Sequence, residues 1–138
     1  ITLLCHSGYC SAQKLSAVFD RVAQLQDFQI LPYSPEEYGY PKEMGEMKMT
    51  CYGNADPREE VLGILATLPD DLLKMDYRDE RYKITRFYLE KDSTGKAFLM
   101  QAFIGWGGND LCLWLFTGAS YEYYELVIQR AKNEMEKE

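Results

Sequence analysis

Apolar residues recur along this chain first at helical spacing and later at strand spacing. Leu15, Val18, Phe19, Val22 and Leu25 follow three- and four-residue steps, while Asp20, Arg21 and Gln24 fall on the other side. That pattern predicts an amphipathic helix over residues 11–26, with an apolar face that needs a sheet to cover. A short strand over 28–33 is expected next. Segment 32–46 (PYSPEEYGYPKEMGE) holds three prolines, two glycines and four glutamates and reads as a loop with one helical turn from Ser34-Pro35. Residues 46–52 alternate, with Met47, Met49 and Cys51 opposing Lys48, Thr50 and Tyr52, which predicts a strand with one core face and one wet face. A second helix is signalled by Asp56 as cap, Pro57 at the first position and Glu59 completing a capping box ahead of Val61, Leu62, Ile64, Leu65 and Leu68. Pro69 ends it. The charged stretch 70–81 reads as a connection with a short turn around Leu72 and Leu73.

The second half of the chain predicts a β-meander closed by a helix. Segments 82–91, 96–106 and 110–117 are strand-like and are separated by Asp92-Ser93-Thr94-Gly95 and Gly107-Gly108-Asn109, so two consecutive hairpins are expected. Leu111, Leu113 and Leu115 oppose Cys112, Trp114 and Phe116 in the last strand, which predicts a covered or central position. Ser120 caps the final helix, whose stripe is Tyr124, Val127, Ile128, Ala131 and Met135. The expected fold is therefore α+β: a largely antiparallel five-stranded sheet with three helices packed mainly on one face, and a C-terminal β-meander followed by a helix.

Composition agrees with one such domain. With 138 residues, 46% of them apolar, a single core can remove most of the chain's surface from water. Twenty-two acidic against fifteen basic residues give a net charge of −7. Phosphate backbones repel such a chain, so nucleic acid is excluded as an expected partner, and a basic or neutral protein or glycan is favoured. No apolar run has the length of a membrane-spanning helix.

The first residues, ITLLCHSGYCSAQ, change the picture of the address. Ile1, Leu3, Leu4 and Cys5 end an apolar stretch, and Cys10-Ser11-Ala12 matches the small-x-small pattern cut by signal peptidase. Residues 1–12 are thus expected to be the remnant of an export signal and 13–138 the domain, with a periplasmic or extracellular location. The competing reading makes 1–5 a buried strand of a cytoplasmic protein. Cleavage would remove His6, the only histidine. A leader ending in Ala12-Gln13, an amphipathic helix of the type Leu15-x-x-Val18-Phe19-Asp20 and a small α+β body resemble the short exported proteins of unknown function common in Bacteroidota. That resemblance implies an extracytoplasmic address and carries over no functional residue.

Candidate chemistry is sparse. Cys5, His6 and Cys10 have the elements of a metal or thiol site but fall in the leader. Cys51 and Cys112 sit on apolar strand faces, where a buried thiol is the default and a disulfide is open to an exported protein if the two Cα atoms lie within about 7 Å. Asp70-Asp71 and Asp79-Glu80 read as solvated loop charge, Gly105, Gly107 and Gly108 as a hairpin turn, and Asp92-Ser93-Thr94-Gly95 as a turn with too few acids for calcium. No catalytic residue, cofactor or metal is expected. Eleven tyrosines stand out, and Tyr33, Tyr38 and Tyr40 cluster in the Pro-rich acidic loop. With Trp106 they are the candidate binding residues, tyrosine being suited to recognition surfaces; the alternative is that they pack the loop onto the sheet. The expected function is an exported non-catalytic binding or accessory domain. The alternative is an acidic cytoplasmic inhibitor or immunity-type protein that masks a basic partner.

Overall fold

A computed structural model describes residues 14–25, 32–33, 35–52, 57–79, 83–105 and 111–137. The leader-like segment with Cys5, His6 and Cys10 lies outside them, as do Asp56 and Trp106. Three helices are described: α1 (Lys14–Gln24), α2 (Arg58–Leu65) and α3 (Tyr121–Glu136). The strands are β1 (Pro32–Tyr33), β2 (Gly45–Tyr52), β3 (Leu73–Arg78), β4 (Ile84–Lys91), β5 (Ala97–Ile104) and β6 (Leu111–Gly118). They form one sheet in the order β1-β2-β6-β5-β4-β3, and every neighbouring pair is antiparallel. Five long strands carry it, and two-residue β1 extends one edge. The architecture is the α+β fold expected, ending in a meander and a helix.

Both faces of the sheet are used. On one, α1 and α2 bury Leu15, Phe19, Val22, Val61 and Leu65 against Tyr88, Met100, Leu113 and Leu115. On the other, α3 buries Tyr124 and Ile128 against Met47, Phe87, Leu99 and Phe116. Period-two alternation sends neighbouring residues of β4, β5 and β6 to opposite cores, and this is why β6 reads as apolar throughout. Two of the three helices share a face and the third takes the other.

The expected wet face of β2 is corrected. Thr50 and Tyr52 are buried beneath α1 and α2, with Tyr52 Oη donating to the Val22 carbonyl (2.6 Å), whereas Met49 and Cys51 are only half-buried. A tyrosine ring counts as apolar area once its hydroxyl finds a carbonyl, so polarity alone misorients this strand. The stretch read as a connection contains β3 after a 3-10 turn at Asp70–Leu72. Lys74, Asp76 and Arg78 hide its alternation, and such charges suit an edge strand, where they oppose pairing with another chain. The second helix starts after Pro57, which occupies the cap position with no side-chain cap bond.

Local signals elsewhere act as their chemistry dictates. Ser120 Oγ accepts from the Tyr123 amide (3.0 Å) at the start of α3. Asp92 Oδ1 accepts from the Thr94 hydroxyl (2.6 Å) and from the Thr94 and Lys96 amides, while Gly95 takes a φ of 91°. These bonds, the Thr94 hydroxyl first, hold the Asp92 carboxyl below its ordinary pKa. Where β2 begins, Gly45 faces Gly118 across the ladder at a φ of 91°, and a methyl group there would overlap the Thr117 carbonyl oxygen.

The start of α1 is built differently. Glu90, a β4 residue only 3% exposed, accepts from the Lys14 and Leu15 amides with its two carboxylate oxygens, each at 3.1 Å. A carboxylate is the preferred partner for helix-start amides, because it satisfies orphan donors and faces the positive end of the helix dipole. Here a strand about 75 residues further along the chain supplies it.

Candidate functional site

Of the sequence-derived candidates, Tyr33 closes β1 opposite Met47 and Tyr38 ends a 3-10 turn at Pro35–Tyr38. Their side chains, like Trp106, are outside the described residues. Tyr40 is half-buried and meets the Phe116 ring edge-on at 5.1 Å between centroids. Burial raises its phenol pKa. This ring packs the acidic loop against the sheet. The loop is anchored further by Met44, 2% exposed, whose carbonyl accepts from Tyr124 Oη (2.7 Å). Glu36, Glu37 and Glu43 stay exposed around these anchors.

A different surface emerges from strand register and helix length. Helix α3 lies over β3, β4 and β5, and with the acidic loop it covers Phe116, Met47 and Leu99. Further along the same face, towards the other end of β2 and β6, two rungs remain half-buried. Met49, Trp114 and Gln101 stand side by side in one; Cys51, Cys112 and Phe103 form the next. Directly opposed residues on neighbouring strands place their side chains together, so these six groups make one platform. Lys83 sits at its margin, with Nζ 5.8 Å from the Phe103 ring centroid. The platform offers aromatic, thioether and disulfide contact area with one amide and one cation for orientation.

Cys51 and Cys112 are joined. Their Cα atoms are 4.1 Å apart, and the disulfide crosses directly opposed residues of β2 and β6. The two cysteines lie on the α3 side of the sheet, so the bond is seated in the platform itself.

Two further concavities are less suited to chemistry. One, of about 320 Å3, lies between Ser16 of α1 and the strands, with Phe98 and Leu115 below and Glu46, Lys48 and Thr117 around it. Another, of about 240 Å3, is floored by Leu65, Leu68 and Leu73 and bounded by Arg86 and Tyr88. Arg86 is already engaged there: Nε donates to Asp76 Oδ1 (3.2 Å) and Nη1 to Tyr88 Oη (3.4 Å). Burial raises the Tyr88 pKa, which keeps the phenol neutral and a hydrogen-bonding group. Among the described residues no three His, Cys, Asp or Glu side chains converge in a ligand set, and no helix is long and apolar enough to cross a membrane.

Sequence reasoning missed Trp114, Phe103 and Met49 as surface residues. The signal was present in β6, whose two apolar faces demand two covers, yet the length of α3 and where it crosses the sheet are tertiary facts. No family model, no curated protein and no solved structure matches this chain.

Proposed function

We propose that this chain is an exported, non-catalytic binding domain whose platform around Trp114 receives an apolar segment of a basic partner protein. The observation that carries the reading is the double rung Met49-Trp114-Gln101 and Cys51-Cys112-Phe103, half-open on the face that α3 and the acidic loop cover in part. Aromatic side chains supply rigid contact area and methionine an adaptable one, and both are enriched in binding surfaces. The net charge of −7 and the exposed Glu36, Glu37 and Glu43 beside this face favour a partner with a basic rim. The Cys51–Cys112 bond supports an oxidising compartment and therefore export.

Titration of the protein with synthetic apolar peptides flanked by Lys and Arg, by the same peptides flanked by Glu, and by neutral oligosaccharides tests this directly. The basic set should bind saturably, weaken with salt and lose at least about tenfold in affinity on Trp114→Ala. Binding of the oligosaccharides alone would replace the partner class with a glycan. Basic peptides that fail to bind, or that bind Trp114→Ala equally well, would sink the proposal. The address is tested by fractionating native cells: recovery of the protein in the envelope or medium supports export, and recovery in the cytoplasm supports the inhibitor reading.

A further inference from the structure

We propose that Cys51–Cys112 is a thiol-exchange site, opened by a dithiol donor and closed again by a disulfide while the protein stays folded. The inference does not depend on the platform having a protein partner. Three observations carry it. Both cysteines are only half-buried, and α3 packs chiefly over β3, β4 and β5 rather than over the β2–β6 pair that carries them. The bond joins residues that the backbone already holds opposite one another, with Tyr52 paired to Leu111 on one side and Thr50 to Leu113 through Gly45 to Gly118 on the other. The covalent link therefore duplicates a pairing that the ladder's own register also makes. Among the described residues, the neighbours of the bond in these two rungs include Trp114, Met49 and Phe103, which tolerate a thiol as readily as a disulfide, since a free cysteine packs as a small apolar group.

The exchange balances in two steps. A thiolate of the donor attacks one sulfur, forming a mixed disulfide and expelling the other as a thiolate that takes up a proton. The donor's second thiol then attacks the mixed disulfide, releasing the second cysteine and leaving as the donor's own disulfide. Two electrons and two protons pass to Cys51 and Cys112. Reversal needs a disulfide as oxidant and returns the same bond, because the opposed register keeps the two thiols adjacent.

Dithiothreitol serves as the probe. The native protein is incubated with it, quenched with a maleimide at intervals and weighed intact, while circular dichroism follows the sheet. Reduction should proceed within about tenfold of the rate in denaturant, with the sheet signal retained, and oxidised dithiothreitol should restore the original mass. Reduction that occurs only at the rate of global unfolding, or loss of the sheet signal on reduction, would overturn the proposal. The single variant Cys51→Ser supplies an independent reading. Its remaining Cys112 thiol should form a mixed disulfide with a small aromatic disulfide in the folded state, and a thiol unreactive until denaturant is added would count equally against the proposal.

Discussion

Glu90 shows how one buried charge can organise a chain at long range. Its two oxygens hold the Lys14 and Leu15 amides, so the carboxylate is spent on a helix start and not left unpaired in the core. Truncation by Glu90→Ala strips both amides of their partner and should cost about 1.5–3 kcal/mol in urea unfolding, the range for hydrogen bonds to a charged group. Glu90→Gln, which keeps one acceptor, should cost less. Tyr124 makes the complementary point for a neutral group. Fully buried, it donates to the Met44 carbonyl, and desolvation pushes its pKa up from 10.0 to about 12. In the unfolded chain the phenol ionises near its ordinary value, so from about pH 10 upward the folded state holds the extra proton and stability falls until the folded value is reached. Below that window the contribution is fully present. Tyr124→Phe should make the alkaline slope shallower when unfolding is measured across the same pH range, leaving the share that Tyr40 and Tyr88 contribute in the same direction.

At the scale of elements, the cores differ in what holds them. Phe19 of α1 is fully buried among strand residues, and Phe19→Ala should cost about 3–5 kcal/mol in chemical unfolding. A loss below half of that would mean that α1 repacks easily. Helix α3 was legible in full, because Ser120 and the stripe Tyr124, Val127, Ile128, Ala131 and Met135 are local signals that its packing obeys. The two C-terminal hairpins were legible for the same reason. Strand β3 was not, since Leu73, Met75 and Tyr77 alternate with three charged residues and the stretch looks like a linker until β4 pairs with it. The platform was equally hidden. Met49 lies far in sequence from Phe103 and Trp114, and only register and the reach of α3 decide that the three share an open surface. Tyr40 stood out in the sequence, but as one of a loop cluster, and its ring turns inward to Phe116.

At the scale of the whole molecule, the sheet is a partition with an apolar layer on each side. Its closing bond spans 61 residues of sequence, and constraining an unfolded chain over that distance is worth about 4 kcal/mol. At about 0.05–0.15 kcal/mol per residue, a chain of 138 residues has about 7–20 kcal/mol to draw on, so loss of the bond should lower the melting temperature without unfolding the protein. Cys51→Ser combined with Cys112→Ser tests this by calorimetry, and a double variant that is unfolded at 25 °C would refute it. The same bond also sorts the molecule under mechanical load. All of α2, β3, β4 and β5 lies between Cys51 and Cys112, inside one covalent loop, whereas α1 and α3 lie outside it. A pull applied to the two ends of the oxidised chain can strip the outer helices but cannot extend the loop. Opening the bond would add about 200 Å of contour length, at about 3.3–3.6 Å for each of its 61 residues. A tether built from this chain would thus have a length set by the redox state of its surroundings.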